Sequence, residues 1–471
     1  MRDLMFIAAI LAAVPLAINR PHLAVALWAY LSLLDPNFFL YGLGNSVPFV
    51  KGAAGLTILS VLLSREKIAP RLDVTTVLAL LFLAVAGASQ ITSFANSNLG
   101  WDILDKLWKI VALNVLIVSC VRTRLRIHVL ILTICLGVGF NGAGEALKYL
   151  LSGAGHKIEG TPNWGDNNQV ALIVLMTMPL LQYVRDVSQE RLVRLGALGG
   201  IILFAVCVIA SASRGGLLGL VVIGLAGMLA SRQKVRYLVG ALIVGWVVIQ
   251  TAPESWWQRM DTIQAADQDS SFMGRVIVWK LSTLIALDHP LLGGGLHAVQ
   301  VPNVWAAYVS QFDRLSFIPT DAPDINPHAA HSIYFEVLGD TGFLGLFIFL
   351  GMIAASFYSN WQITAAARGR PDLDWAVSLG RQVRVSLLVF VVSGALLSAA
   401  YHDLIFILFA LSSALRAAVA TAPRPQLLAE APPEMAGWRA RRMGTPSPVW
   451  RRDAALGTIS REQAGRAKFP E

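Results

Sequence analysis

Charge is scarce in this sequence. Only 14% of its 471 residues are Asp, Glu, Lys or Arg, where a soluble globular chain carries about 25%. A water-soluble protein of this length could not cover its surface with so few charges. Cysteine is scarcer still. Cys120, Cys135 and Cys207 each lie inside an apolar run, which argues against a disulfide framework or a cysteine metal site and fits small buried hydrophobes. No small-residue cleavage site follows a basic start, so the apolar N-terminus is expected as a retained span. No nucleic-acid-binding motif accompanies the formal net charge of +9. The basic residues instead form short clusters between apolar runs, as a bilayer sorts charge. Gly293-Gly-Gly295 lacks the Lys-Ser/Thr of a phosphate-binding loop and is expected as a turn. There is no internal repeat of the kind that marks many transporters.

What the chain has in quantity is apolar sequence: 55% of its residues are hydrophobic and its mean hydropathy is +0.60. A bilayer-spanning helix needs about 20 mainly apolar residues. Candidates fall at 4–18, 23–34, 47–64, 74–93, 104–120, 127–151, 168–184, 195–212, 215–231, 235–252, 331–358, 383–398 and 400–418. The first two are short and could form a hairpin. The expected fold class is therefore all-α, a polytopic helical membrane protein with roughly 11–13 spans and one long periplasmic loop.

Alternate connections are basic: Arg65, Lys67 and Arg71; Arg122, Arg124 and Arg126; Arg185, Arg191 and Arg194; Arg232, Lys234 and Arg236; Arg368, Arg370, Arg381 and Arg384. The opposite set carries almost none, with Lys157 and Arg214 its isolated members. The positive-inside rule puts the first set in the cytoplasm of a bacterial inner membrane. The expected organisation is N-terminal spans over 1–252, a periplasmic loop with short helices over 253–330, further spans over 331–420 and a disordered cytoplasmic tail over 421–471. The loop is net acidic, with four basic and eight acidic residues. It carries Trp256 and Trp257 near its start and a helix expected from about Gly274 to Asp288. A loop of this length with apolar content of its own is usually functional.

A few polar residues at the outer edge of the spans need explaining. Arg214 lies in Ser211-Ala-Ser-Arg-Gly-Gly216 between two apolar runs. An Arg there faces a polar cavity or an anion, or else snorkels from a tight turn. Arg275 is expected in the first turn of the loop helix, where helix N-termini favour anions and a guanidinium matches phosphate oxygens. The alternative is a surface salt bridge. His331 is expected in the first turn of the next span, where the macrodipole keeps imidazole neutral and able to act as a base. The alternative is a capping histidine. His328 and His331 have zinc-like spacing, but no third ligand follows, and no metal is expected. Gly339, Gly342 and Gly345 are expected to allow close helix packing. In Gly160-Thr-Pro-Asn-Trp-Gly-Asp-Asn-Asn-Gln169, Asp166 and the amides could bind a sugar or simply form a turn and helix cap. Lys51, Lys106, Lys109 and Lys148 near outer span ends are expected to snorkel, with one or two lining a cavity.

Four motifs occur in order: Ser213-Arg-Gly-Gly216, Gly274-Arg-x-x-x-Trp279, His289-Pro-Leu-Leu-Gly-Gly-Gly295 and His331-Ser-x-Tyr-x-x-x-x-Gly-Asp-x-Gly342. This series resembles the O-antigen ligase and polymerase superfamily, over most of the chain to about residue 420. Met1-Arg-Asp-Leu4, Asn19-Arg-Pro-His-Leu23 and Gly165-Asp-Asn-Asn168 resemble more closely the O-glycosylation ligases associated with exosortase systems. Ser332 departs from the Asn that often follows the family histidine, and Asp35-Pro-Asn37 from an Asn-Pro-His. The resemblance implies a glycosyltransferase without cofactor or metal. It would move a glycan from a polyprenyl-diphosphate (undecaprenyl diphosphate) donor to a hydroxyl of a saccharide or protein acceptor. On that reading Arg214, Arg275 and Arg259 hold the leaving diphosphate, His331 is the base, and Asp166, Asn167 and Tyr334 contact glycan or acceptor. A polysaccharide polymerase of the same superfamily is the alternative. A transporter of lipid-linked glycan is disfavoured by the missing repeats and the few charges at mid-membrane depth.

Overall fold

The computed structural model describes residues 2–66, 68–95, 97–230, 234–235, 239–240, 270–318, 320 and 326–422. Most of the expected span 235–252, Trp256, Trp257, Arg259 and the tail from 423 lie outside the described residues. The described secondary structure is helical, and its principal helices are labelled in chain order. They are α1 (Arg2–Ile18), α2 (Pro21–Leu34), α3 (Phe49–Leu63), α4 (Val74–Ile91), α5 (Asn98–Cys120), α6 (Arg124–Leu151) and α7 (Asn167–Val187). There follow α8 (Arg191–Ala210), α9 (Arg214–Ala230), α10 (Ser270–Asp288), α11 (Pro302–Val309), α12 (Ile333–Ala366), α13 (Asp374–Ser393) and α14 (Asp403–Ala420).

Local chemistry sets where these helices begin. Pro21 opens α2, where its missing N–H costs no helical bond. Asp73 accepts from Thr76 N–H at 3.2 Å and caps α4, while its other oxygen accepts from Ser413 Oγ at 2.6 Å. Asp166 caps α7 in a full capping box with Gln169. Among the described residues, seven helices are long and apolar enough to cross a membrane, and α2, α3 and α9 are shorter apolar helices. Helix α5 is longer than expected. Its first half carries Asp102, Asp105, Lys106 and Lys109, so only its later turns read as a span in sequence.

Burial sorts the helices into inner and outer. In α7 and α14, 78% of the spanning window is buried within the protein, against 22% in α8. Leu192, Leu195 and Ile202 of α8 project outward. An apolar outer surface of this kind requires a lipid solvent. Helix α7 packs on α6, α8 and α13, and α12 packs on α4, α10, α13 and α14. Small residues permit the closest approaches: a Cβ on Gly142 would meet Val174 at 2.5 Å.

The long span α12 is broken. Gly342 has φ 67° and ψ −168° inside it. The expectation that Gly342 serves helix packing is therefore corrected: it ends one helical stretch and starts another, in a conformation open mainly to glycine. Gly339 does serve close approach, since a Cβ there would lie 3.0 Å from Ser282 of α10. The main-chain groups released at the break are taken up by the turn 289–295. Gly294 N–H donates to Gly339 O at 2.9 Å, Gly295 N–H to Asp340 O at 3.1 Å, and Phe343 N–H to Pro290 O at 2.8 Å. Ser89 Oγ also donates to Asp340 O, and Ser93 Oγ to Gly294 O at 2.7 Å. The Gly-Gly-Gly sequence is thus a turn, built to lie against exposed helix backbone.

Candidate active site

His331 lies two residues before α12, not in its first turn. Its φ is 45°, and Ser332 is the N-cap of the helix. The macrodipole argument for this residue is corrected accordingly. Its main-chain N–H donates to Ser398 Oγ at 2.8 Å. The Ser398 carbonyl accepts from Gln169 Nε2. One residue in the connection between α13 and α14 therefore ties His331 to the start of α7.

The start of α9 joins the same place. Asn167 Nδ2 donates to Ser211 O at 2.7 Å, and Ser213 Oγ accepts from Gly216 N–H at 3.1 Å, capping the helix that Arg214 opens. A Cβ on Gly216 would lie 3.0 Å from Ala171, and one on Gly215 3.5 Å from Ser393 O. The glycines after Arg214 let α9 seat closely on α7 and α13, and the half-buried Arg214 stands at that junction.

Arg275 is the sixth residue of α10, beyond the first turn, because the helix begins at Ser270. The helix-terminus argument for an anion at Arg275 is corrected for that reason. It lies one turn before Trp279, on the same face. Trp279 stacks on Phe335 at 5.1 Å with planes 9° apart, and its Nε1 donates to Ala330 O at 2.7 Å. That face of α10 thus looks toward the residues that lead into His331. Burial holds the His331 imidazole below its ordinary pKa of 6.5, and the Arg275 charge lowers it further, with Asp166 and Glu336 opposing. The structure thus brings His331 within electrostatic reach of Arg275 and Asp166, which come from different elements. Arg259 lies outside the described residues.

The remaining expected contacts have structural partners. Asp166 is exposed and its carboxylate caps α7, accepting from Asn168 N–H and Gln169 N–H at 3.0 Å. Tyr334 OH donates to Val391 O at 2.9 Å. His328 meets Trp305 edge-on at 5.8 Å. Among the described residues no group of three or more His, Cys, Asp or Glu side chains is placed to hold a metal ion.

Beside His331 lies a buried polar network that the sequence reading did not single out. His297 Nε2 is 3.3 Å from Glu336 Oε1. Glu336 Oε2 accepts from Ala400 N–H at 3.0 Å. Asp340 accepts from His297 N–H at 2.9 Å and from Tyr401 OH at 2.8 Å. Glu336 and Asp340 are only 6% and 2% exposed. Burial disfavours charge on His297, but Glu336 and Asp340 outweigh it and raise its pKa above 6.5. Glu336 and Asp340 recur at i,i+4 in an otherwise apolar span; that spacing was the signal available in sequence. A second cluster adjoins it. Lys106 Nζ is 3.7 Å from Asp403 Oδ2 and 3.5 Å from Asn163 O, and Ser32 Oγ donates to Asp403.

These residues fall inside a recognisable region. Residues 199–350 match the family model described as O-antigen ligase. The O-antigen ligase match includes Arg214, Arg275, His297, His331, Glu336 and Asp340, and stops short of Ser398. Residues 1–188, which contribute Asp166, Asn167 and Gln169, match a family of unknown function (DUF5935). No curated protein matches the chain. The O-antigen ligase region and the apolar helices together support a membrane ligase or polymerase type of enzyme.

Proposed function

We propose that the protein transfers a glycan from a polyprenyl-diphosphate donor to an acceptor hydroxyl on the periplasmic side of a bacterial inner membrane. The reading rests on one observation above all: His331, a cation and the starts of two apolar helices meet at one end of the bundle. His331 takes the proton of the acceptor hydroxyl as its oxygen attacks the anomeric carbon. The bond from that carbon to the diphosphate oxygen breaks. Arg214 and Arg275 carry the charge that develops on the leaving diphosphate, and Arg259 is proposed to assist. Asp166, Asn167 and Tyr334 line the approach for glycan or acceptor. The donor is already activated, so the reaction needs no nucleotide.

The side of the membrane follows from the basic connections, which lie at the opposite ends of the helices from His331. On this reading the C-terminus is cytoplasmic. Asn19-Arg-Pro-His22 and Gly165-Asp-Asn-Asn168 support the exosortase-associated O-glycosylation group, and hence a protein hydroxyl as one acceptor.

The test is transfer by the purified protein supplied with a polyprenyl-diphosphate glycan and candidate acceptors. His331→Ala and Arg214→Ala should each abolish product while the protein remains folded. Near-normal turnover in either would overturn the proposed site. A ladder of lengthening lipid-linked glycan would make the enzyme a polymerase. Movement of donor across vesicles without a covalent product would make it a transporter.

A further inference from the structure

A polar cavity lies at the opposite ends of these helices, inside residues 1–188. About 15 Å of the α2 axis separates Ser32 and Leu33, which bond Asn163 and Trp164, from His22 near the start of the helix. There the turn 19–20, the end of α3 and the start of α6 line a partly open recess of about 570 Å³. Arg20, Arg65, Arg126, His22, Ser64 and Glu66 are among its lining.

The charges in this cavity do not cancel. Arg126 spans Glu66 with a two-pronged contact at 2.7 and 2.9 Å, and its Nη1 also donates to Cys120 O at 2.9 Å. The Arg126 hydrogen bonds to Glu66 hold its carboxyl below the usual carboxylate range. The one carboxylate in the lining is thereby committed to the one guanidinium that is mostly buried. Arg20 and Arg65 are exposed, and among the described residues neither guanidinium has a hydrogen bond or ion pair. The His22 Nδ1 is buried without a hydrogen-bond partner. The Ser64 hydroxyl accepts from Glu66 N–H at 3.0 Å and keeps its own proton to donate. The cavity therefore presents two uncommitted forked cations, a hydroxyl donor and a buried imidazole nitrogen, with its acid already neutralised.

We propose that this cavity binds a phosphate-class anion, either the headgroup of an anionic phospholipid or free phosphate. Guanidinium groups match tetrahedral phosphate oxygens in pairs. A headgroup at this depth would also satisfy the apolar rim formed by Leu63 at the end of α3. Arginines that merely snorkel to many lipid phosphates would not need a recess, an Arg126–Glu66 fork or a half-buried histidine with a buried Nδ1 behind them. The site is independent of glycan transfer.

The test uses the full-length protein and the double variant Arg20→Gln, Arg65→Gln. Both positions are exposed and have no partner among the described residues, so the variant should fold. One arm is native mass spectrometry after exposure to phosphatidylglycerol or phosphatidylcholine. The other is thermal unfolding in phosphatidylcholine nanodiscs with inorganic phosphate against chloride of equal ionic strength. One retained phosphatidylglycerol, weakened about tenfold or more in the variant, would establish a headgroup site. Stabilisation by phosphate in the wild type alone would establish a free-phosphate site. Equal behaviour of wild type and variant in both arms, or no preference for phosphatidylglycerol together with no phosphate effect, would overturn the proposal.

Discussion

The main-chain N–H of His331 donates to the hydroxyl of Ser398 at 2.8 Å, across 67 residues of sequence. That bond holds His331 in a left-handed backbone conformation, φ 45°, which costs on the order of 1–3 kcal/mol for a non-glycine residue. A strained residue persists only where its surroundings fix it. Here the fixing group is a single serine, itself held through its carbonyl by Gln169.

Ser398→Ala should therefore impair transfer without unfolding the protein. Misplacing a catalytic group by about 1 Å can cost about 100-fold in rate. The loss should appear in kcat, with KM for the donor little changed, in steady-state assays of the purified variant. Wild-type kcat in Ser398→Ala would show that His331 is oriented by other means.

The pH dependence of transfer should follow the imidazole. Burial and then Arg275 keep the His331 pKa below 6.5, and only the neutral ring accepts a proton. Activity is thus full above that pKa and falls as pH drops through it, so the acid limb should have its midpoint below 6.5. Arg275→Gln removes a cation that opposes imidazolium. Its acid limb should move to higher pH, beyond any loss in kcat. The same lowered pKa has a stability consequence. The unfolded chain takes the proton at higher pH than the folded one, so His331 erodes stability as pH falls below 6.5.

Gly342→Ala tests the broken helix. A Cβ there would lie 2.6 Å from Pro290 O, at φ 67°. The substitution should destabilise the protein by about 1–3 kcal/mol, measured by thermal unfolding in detergent. A rise in stability, as expected for a glycine replaced inside a regular helix, would contradict the break.

Two ion pairs should behave differently when cut. Glu336→Ala leaves His297 buried without its partner, and removing one member of such a pair costs about 3–5 kcal/mol. Arg314 bonds Asp288 at 2.8 and 3.0 Å but lies exposed. Arg314→Ala should leave the thermal midpoint unchanged within error, because water and salt already weaken that pair. Comparable losses in both variants would refute this distinction.

The helices were readable because each apolar run is long and most are bounded by proline, a capping side chain or charge. Helix α5 was clipped because its first turns hold four charged residues, three of which the protein pairs, Asp105 with Lys109 and Lys106 with Asp403. The candidate site was legible where a charged or titratable side chain interrupts apolar sequence, as at Arg214, Arg275 and His331. What stayed hidden was non-local. The connection 397–403 carries no basic residue and looked empty, yet Ser398 and Tyr401 order the site from there. The pairing of His297 with Glu336 joins residues 39 positions apart, and no local pattern announces it. The placement of His331 ahead of its helix depends on a backbone angle that sequence periodicity does not encode.

Where the turn 289–295 meets the interrupted backbone at Gly342, the attachment is made peptide to peptide. Such a joint leaves no room for a side chain at Gly293, Gly295 or Gly342, where a Cβ would meet backbone or Ser93 within 3 Å, and it depends as strictly on the count of residues. Inserting or deleting one residue between His289 and Leu296 would shift every donor off its acceptor, however well the new residue suited a surface turn. Point changes farther along, between Ala298 and Ser316, leave those bonds alone. The extramembrane segment is therefore expected to vary at its exposed positions while keeping its buried residues, such as Val304, Trp305 and Tyr308, and a rigid spacing at this one splice.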